Sequence, residues 1–110
     1  MPEPILVMTT MPDAVGANAL AQQLVERKLA ACVNILPLVH SIYLWRGVIE
    51  HADEVAMVIK TTVDRYSELE AFVQAAHPYD LPEIIAIPVV KGLPAYLDWI
   101  GAATKKELNV

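Results

Sequence analysis

The segment from residue 31 to residue 62, ACVNILPLVHSIYLWRGVIEHADEVAMVIKTT, decides the fold because it has the pattern of a long β-hairpin. Ala31–Ile35 is mainly apolar, and Val39–Trp45 alternates its side chains between two opposite faces, as a strand does. Pro37 stands between these two parts, and proline cannot donate to a strand ladder. We therefore expect a bend or a sheet edge at Pro37, with strand on both sides of it.

The second half of this segment predicts the turn and the returning strand. Gly47 and the polar residues 50–54 after it are typical of a hairpin connection, and Val55–Thr62 predicts the strand that returns. The polar residues could also supply oxygen and imidazole donors to a divalent ion, although charged side chains in turns are more often only solvated. The donors concerned are Glu50, His51, Asp53 and Glu54.

The sequence on each side of the hairpin supplies one strand and one helix, and a further helix ends the chain. Pro4–Thr10 predicts a buried strand, and Asp13 can cap the amphipathic helix that follows it. After the hairpin, a helix from about residue 64 to residue 76 precedes a buried strand at Ile84–Val90, and Pro94 opens the last helix. The order βαββαβ plus one helix predicts an α+β, ferredoxin-like domain, in which two helices cover one face of a four-stranded antiparallel sheet.

Length and composition favour one self-associating domain over residues 1–110. The chain is 55% apolar and only 19% charged, which leaves more apolar surface than a domain of this size can bury alone. The richest apolar stretch, Leu29–Trp45, is interrupted by polar residues and proline, so no membrane span is expected. The net charge of −5 argues against nucleic acid as a partner, because phosphates bind clustered lysine and arginine.

Two features indicate the cellular compartment. The first residues, Met1-Pro2-Glu3-Pro4, contain no basic region ahead of the first apolar run, so no signal peptide is expected. The single cysteine, Cys32, excludes an internal disulfide and fits a reducing compartment. The expected localisation is therefore cytoplasmic.

Three motifs together give the chain a family resemblance: Ser41–Gly47 (SIYLWRG), Glu54–Thr62 with its Ile-Lys-Thr-Thr end, and His77–Ile84 (HPYDLPEI). Ala30–Asn34 and Tyr96–Ile100 extend the match over nearly the whole chain. In these segments and their spacing the sequence resembles the CutA family of divalent-cation tolerance proteins. The resemblance implies a homotrimer of ferredoxin-like subunits, similar in fold to PII signalling proteins, that is linked to tolerance of copper and other divalent metal ions. The sequence contains neither a Gly-x-Ser-x-Gly motif nor a glycine-rich phosphate loop, so no enzyme is expected.

The resemblance also implies a copper-ligand pattern from which this chain departs. Ligands proposed in the family are a cysteine that closes the first strand and two adjacent histidines before Pro-Tyr. Thr9 and Ala76 stand at two of these positions, so only His77 remains, and neither a hydroxyl nor a methyl group replaces a thiolate or an imidazole for copper. His77, Asp80 and Glu83 are then the candidate metal ligands, although a histidine at a helix end can simply interact with the helix dipole.

A second candidate site is a cleft between subunits that could hold a small effector. Its expected lining alternates on neighbouring strands and includes the loop after His77: Tyr43, Trp45, Glu54, Lys60, Tyr79 and Glu83. This cleft carries the alternative function, a PII-like sensor that binds a small molecule and signals to an unknown protein partner. An acid–base enzyme that uses His77 with Glu83 or Asp80 has the residue types but no catalytic motif around them.

Overall fold

The computed structural model describes residues 3–106, and the ends of the expected domain, 1–2 and 107–110, lie outside the described residues. It contains one sheet, with strand order β2-β3-β1-β4 and antiparallel pairing throughout. This confirms the expected α+β class and the βαββαβ order with an additional helix. The elements are β1 Pro4–Met11, α1 Ala14–Glu26, β2 Cys32–Trp45, β3 Val48–Thr62, a 3-10 turn at Val63–Arg65, α2 Tyr66–Ala76, β4 Ile85–Pro88 and α3 Pro94–Ala103.

The hydrophobic core lies between α1, α2 and one face of the sheet. Successive strand residues point to opposite faces, so the odd-numbered residues of β1 and β3 share the face beneath these helices. Val7, Met57 and Ile59 on that face are completely buried. Leu24 of α1 and Leu69 of α2 are also completely buried, as the helical spacing of apolar residues predicts.

Local sequence signals explain where the helices begin and end. Asp13 caps α1, and its carboxylate accepts a hydrogen bond of 2.7 Å from the Gly16 backbone N–H. His77 ends α2 with extended backbone, because the proline that follows it disfavours helical geometry. Pro94 is in the first turn of α3, where its missing N–H costs no intrahelical bond.

The opposite face of the sheet is partly covered by α3. Lys60 of β3 points to that face, and its ammonium group donates a 3.3 Å hydrogen bond to the Tyr96 hydroxyl of α3. Ile100 and Thr104 at the end of this helix are 2% and 1% exposed. The last helix therefore forms a third layer over one part of the sheet and leaves the rest of that face open.

The hairpin is longer than the sequence analysis predicts, and the expected connection at residues 50–54 is wrong. The chain turns at Arg46 and Gly47, both in the left-handed region with φ of 51° and 81°. This is the backbone that two-residue hairpin loops favour, since it matches the twist of the strands. Residues 50–54 are therefore part of β3, and their charges are tolerated because most of their side chains meet water.

The irregularity expected at Pro37 is confirmed. Leu36 pairs with Ala56 and Val39 with Glu54, so two residues of β2 stand opposite one residue of β3. Leu38 in this bulge has a positive φ of 64°. β2 is also an edge strand, which is where a proline can be accommodated.

The strand expected at Ile84–Val90 is shorter, Ile85–Pro88, and is not buried in the single chain. It pairs with β1 on one side only, and Ile85 and Ile87 are 52% and 43% exposed. The expectation of burial was wrong because a continuous apolar run does not specify what covers it. The apolar surplus of the composition thus lies at the two edges of the sheet, in β4 and in the β2–β3 hairpin.

Candidate functional site

A cleft of about 980 Å³ separates the outer part of the β2–β3 hairpin from the loop that follows α2. We call the outer part of the hairpin, Val39–Trp45 with Val48–Glu54, the arm. Five of the residues expected in a subunit cleft line this space: Tyr43, Trp45, Glu54, Tyr79 and Glu83. Asp80 of the loop lines it as well.

A hydrogen bond between Tyr79 and Glu54 joins the loop to the base of the arm. The Tyr79 hydroxyl donates to Glu54 Oε2 at 2.9 Å, and Glu54 is only 8% exposed. Burial of the phenol, followed by its bond to the Glu54 carboxylate, raises the pKa of Tyr79 to about 12. Tyr79 is therefore a neutral hydrogen-bond donor at every physiological pH.

Lys60 does not belong to this cleft, so that part of the predicted lining is wrong. It lies on the same face of β3 as Glu54 but six residues further along, a separation of about 20 Å in a strand. Its ammonium group reaches Tyr96 of α3 instead. Alternation along the strand identifies the correct face, but it does not measure distance along the strand.

His77 is buried, and both of its ring nitrogens are engaged. Nε2 lies 2.6 Å from the Thr10 backbone oxygen, and Nδ1 lies 3.1 Å from the Tyr79 backbone nitrogen. A carbonyl only accepts and an amide N–H only donates, so Nε2 carries the proton and the lone pair of Nδ1 is occupied. His77 ties the end of α2 to β1, a role that the expected dipole interaction does not describe.

The positions of the family's copper ligands do not fit copper in this chain. The Thr9 hydroxyl is buried and finds no hydrogen-bond partner among residues 3–106, and it offers no thiolate. Ala76 at the end of α2 has no donor atom, and the nitrogens of His77 are engaged. Within the described part of the chain, no three His, Cys, Asp or Glu side chains are arranged to hold one metal ion.

The structure also divides the polar residues expected at the hairpin tip. Glu50 pairs with Tyr43 and points to the face of the cleft, whereas His51 and Asp53 point to the opposite face. On that opposite face they meet His40, which the sequence analysis did not single out. The bulge in β2 shifts His40 to this face, so a strict alternation from Ala31 onward does not find it.

The fold and the cleft define an α+β protein with a ferredoxin-like sheet and a long projecting hairpin. Comparison with protein families identifies the class more closely, because the model of the CutA1 divalent ion tolerance protein family matches residues 5–103. The chain belongs to this family. The family's name refers to tolerance of divalent ions and to no reaction.

Relatives of known name support this assignment. The chain is 46% identical over 92 residues to the Protein CutA homolog of Xenopus laevis, covering 84% of this chain and 61% of that protein. It is 43% identical over 95 residues to the divalent-cation tolerance protein CutA of Thermus thermophilus, covering 86% and 92%. The chain spans less than two thirds of the frog relative and 56% of the mouse Protein CutA.

Solved structures of the family have the same fold. CutA1 from Shewanella sp. SIB1 has a TM-score of 0.91 and 45% identity, with 96% of this chain and 98% of that chain covered. The periplasmic divalent cation tolerance protein CutA of Archaeoglobus fulgidus has a TM-score of 0.90 and 40% identity, with coverage of 93% and 99%. Among residues 3–106, none of the helices has the length and apolar character needed to cross a bilayer.

Proposed function

We propose that this protein is a homotrimeric, non-catalytic scaffold that takes part in the cellular response to divalent metal ions. Membership of the divalent ion tolerance family supports the connection to metals. The observation that carries self-association is the arm, which is apolar but has no core of its own. Leu44 and Ile49 on one of its faces are 71% and 68% exposed, and Trp45 on the other is 37% exposed.

Apolar surface of this kind favours association between copies of the chain. Monomeric proteins seldom leave large contiguous apolar patches in water, because each buried Å² contributes about 25 cal/mol. The arm and the unpaired edge of β4 present such surface at the two opposite edges of the sheet. In a closed ring each subunit contacts its two neighbours through different edges, so both surfaces are buried.

Light scattering of the purified chain tests the subunit number. A trimer has a mass of about 36 kDa, three times the 12.1 kDa chain. Leu44→Lys places a charge on the arm and is expected to dissociate the particle. Val15→Lys is the matched control, because Val15 is 82% exposed on α1 and lies outside the arm. A wild-type particle of 12 kDa would refute the trimer.

For cation binding at the cleft, the accessible donors of the expected set are the carboxylates. Asp80 and Glu83 are exposed residues of the cleft lining, whereas His77 is buried with both nitrogens in hydrogen bonds. Carboxylate oxygens suit harder divalent ions better than they suit Cu(I). Native mass spectrometry during titration with Cu(I), Cu(II) and Mg²⁺ tests this. Uptake that is lost in Asp80→Asn and Glu83→Gln supports the cleft, and unchanged uptake removes it.

A second candidate function is a PII-like sensor, favoured by the cleft between the arm and the loop. Tyr43 and Trp45 offer aromatic surface, and the Tyr79–Glu54 pair offers a polar contact at the base of the cleft. A small effector that inserts there would move the arm and change the surface offered to a protein partner. Fluorescence of Trp45 in a Trp99→Phe background reports this directly. No change with any nucleotide or metabolite tested would count against the sensor.

The proposed compartment is the cytoplasm. The single cysteine, Cys32, fits a reducing compartment and supports it. Cell fractionation with antibodies to the native protein tests it, and recovery from an extracytoplasmic fraction would overturn it.

A further inference from the structure

The face of the arm that carries Leu44 and Ile49 also carries a connected set of three polar side chains, His40, His51 and Asp53. Residue 40 is directly opposite residue 53 in the ladder, and residue 51 is the diagonal neighbour of residue 40 on the same face. His40 Nδ1 lies 2.8 Å from Asp53 Oδ1, and His40 Nε2 lies 3.1 Å from His51 Nδ1. We propose that His40 and His51 form a two-nitrogen chelate for a divalent transition-metal ion, oriented by Asp53.

The separation of the two nitrogens suits one shared ion. Imidazole nitrogens bind a metal such as Zn²⁺ at about 2.1 Å, which separates two neighbouring ligand nitrogens by about 3.0 Å at a right angle and about 3.4 Å in a tetrahedron. The observed 3.1 Å lies between these values. The ring centroids are 5.2 Å apart with 39° between the planes, and binding one ion requires the two rings to rotate until both lone pairs point at it.

Asp53 selects the tautomer that the metal requires. Its carboxylate accepts the Nδ1–H of His40 and so leaves the lone pair of His40 on Nε2, the nitrogen that faces His51. A carboxylate behind a ligand histidine is the usual support of a metal-bound imidazole. Without metal, His51 carries a proton on Nδ1 and donates it in a hydrogen bond to His40 Nε2. With metal, His51 carries that proton on Nε2 instead, and the ion takes its place.

The strands hold the pair in position more firmly than a loop would. Both histidines are within paired β-strands, and the bulge at Leu36–Val39 sets the register that brings them to one face. The side chain of His40 is 54% exposed and that of Asp53 is 76% exposed, so an ion can enter from solvent and keep water at its remaining positions. Neither the subunit number nor the effector cleft proposed above is needed for this chelate.

The donor atoms define which cations bind. Imidazole favours borderline ions and disfavours Mg²⁺ and Ca²⁺, which prefer oxygen. Among divalent first-row ions the affinity of a nitrogen site rises to Cu²⁺ and falls again at Zn²⁺. At this chelate we therefore expect one Cu²⁺, weaker binding of Zn²⁺ and none of Mg²⁺, so any Mg²⁺ bound by the cleft carboxylates should be unaffected by changes at His40 and His51.

Isothermal titration of the full chain with Cu²⁺, Zn²⁺ and Mg²⁺ salts tests the chelate. His40→Gln and His51→Gln are each expected to lower the Cu²⁺ affinity at least tenfold, since a chelate needs both nitrogens, and Asp53→Asn by about tenfold through loss of orientation. Glu50→Gln is the matched control, because Glu50 is next to His51 in β3 but points to the other face. Its Cu²⁺ affinity should equal that of the wild type. Circular dichroism verifies that each variant is folded.

A second readout separates the chelate from adventitious binding. The chain has three histidines, so their imidazole NMR signals can be resolved individually. Substoichiometric Cu²⁺ should broaden the signals of His40 and His51 together and leave that of His77 sharp. If each histidine variant keeps the wild-type affinity, or if His77 broadens first, the chelate is refuted.

Discussion

The strand β3 passes through two environments, and the contrast explains how this molecule combines stability with exposed apolar surface. Met57 and Ile59 are completely buried beneath α1 and α2, whereas Ile49, on the same face of the same strand, is 68% exposed. The helices cover only the half of the hairpin away from its turn, because α1 and α2 have 13 and 11 residues and are about 20 Å long or less, whereas the hairpin strands have 14 and 15 residues and span roughly 45–50 Å. The covered half contains the hydrophobic core, and the arm leaves its apolar side chains exposed in the single chain.

The largest expected effect comes from removing a core side chain under the helices. Leu24→Ala deletes a completely buried side chain and should lower the free energy of unfolding by about 3 kcal/mol, through lost burial and the cavity that remains. Leu44→Ala on the arm should cost a single subunit less than about 0.5 kcal/mol. Urea unfolding at low protein concentration measures both. Equal losses would show that the arm belongs to the folding core.

The turn of the arm offers the next effect. Gly47 has a φ of 81°, and a Cβ at this position meets nothing within 4 Å, so Gly47→Ala tests the backbone alone. We expect a loss of about 1 kcal/mol in the free energy of unfolding, the cost of a left-handed alanine. Val48→Ala, beside it in β3, is the control for a simple change of side chain. An unchanged midpoint in Gly47→Ala would mean that the arm unfolds independently of the core.

Two buried threonines in the covered half give a pair of effects of similar size and opposite sign. Thr61 Oγ1 donates a 2.7 Å hydrogen bond to the Leu29 carbonyl, whereas Thr9 Oγ1 has no partner among residues 3–106. Thr61→Val should lower the free energy of unfolding by about 1 kcal/mol, and Thr9→Val should raise it by a similar amount, since it removes an unsatisfied hydroxyl. Thermal unfolding of both variants measures the difference. A loss in Thr9→Val would indicate a partner for this hydroxyl in the assembled protein.

The smallest effect concerns the link between the arm and the loop at high pH. The pKa of Tyr79 is about 12 in the folded chain against 10.0 for a free tyrosine, so the folded state holds this proton more tightly. The stability due to this group is complete below pH 10 and is lost as the pH rises from 10 to 12. Tyr79→Phe should flatten the decline in that window. Absorbance at 295 nm follows the titration.

Tyr66→Phe is the matched control for this titration. The hydrogen bond that Tyr66 donates to Glu70 raises its pKa as well, but this pair lies on α2, away from the cleft. The two variants should therefore each remove one late-titrating tyrosine. If Tyr79→Phe leaves the titration curve unchanged, the bond between Tyr79 and Glu54 does not form in solution.

The sequence predicts the covered half of the molecule better than the arm. Apolar spacing in α1 and α2, the cap at Asp13 and the break at His77 are local signals, and each is confirmed. The charges of residues 50–54 suggest a turn, but the turn depends on positive φ at Arg46 and Gly47, and only the glycine is visible in advance. Charged residues therefore do not distinguish a turn from a strand when both faces of the strand meet water.

The candidate sites depend on register and distance, which sequence patterns do not contain. Tyr43, Trp45, Glu54 and Tyr79 meet in the cleft as predicted, but Lys60 is too far along β3 to join them. His77 is at the predicted helix end, yet its hydrogen bonds to Thr10 and Tyr79 link residues that only the fold brings together. His40 joins His51 and Asp53 because one extra residue at the bulge changes the face of β2. The sequence indicates that His40 lies on the face of His51 and Asp53 only if Pro37 is interpreted as a change of register in β2.

Native mass spectrometry of the metal-free chain, repeated at decreasing protein concentration, tests most directly the claim that the arm is an association surface. We predict a trimer of about 36 kDa, from the 12.1 kDa chain, that persists in Val15→Lys and dissociates in Leu44→Lys while both variants keep a folded core. A wild-type chain that is monomeric at every concentration, with the arm still formed, would contradict the account.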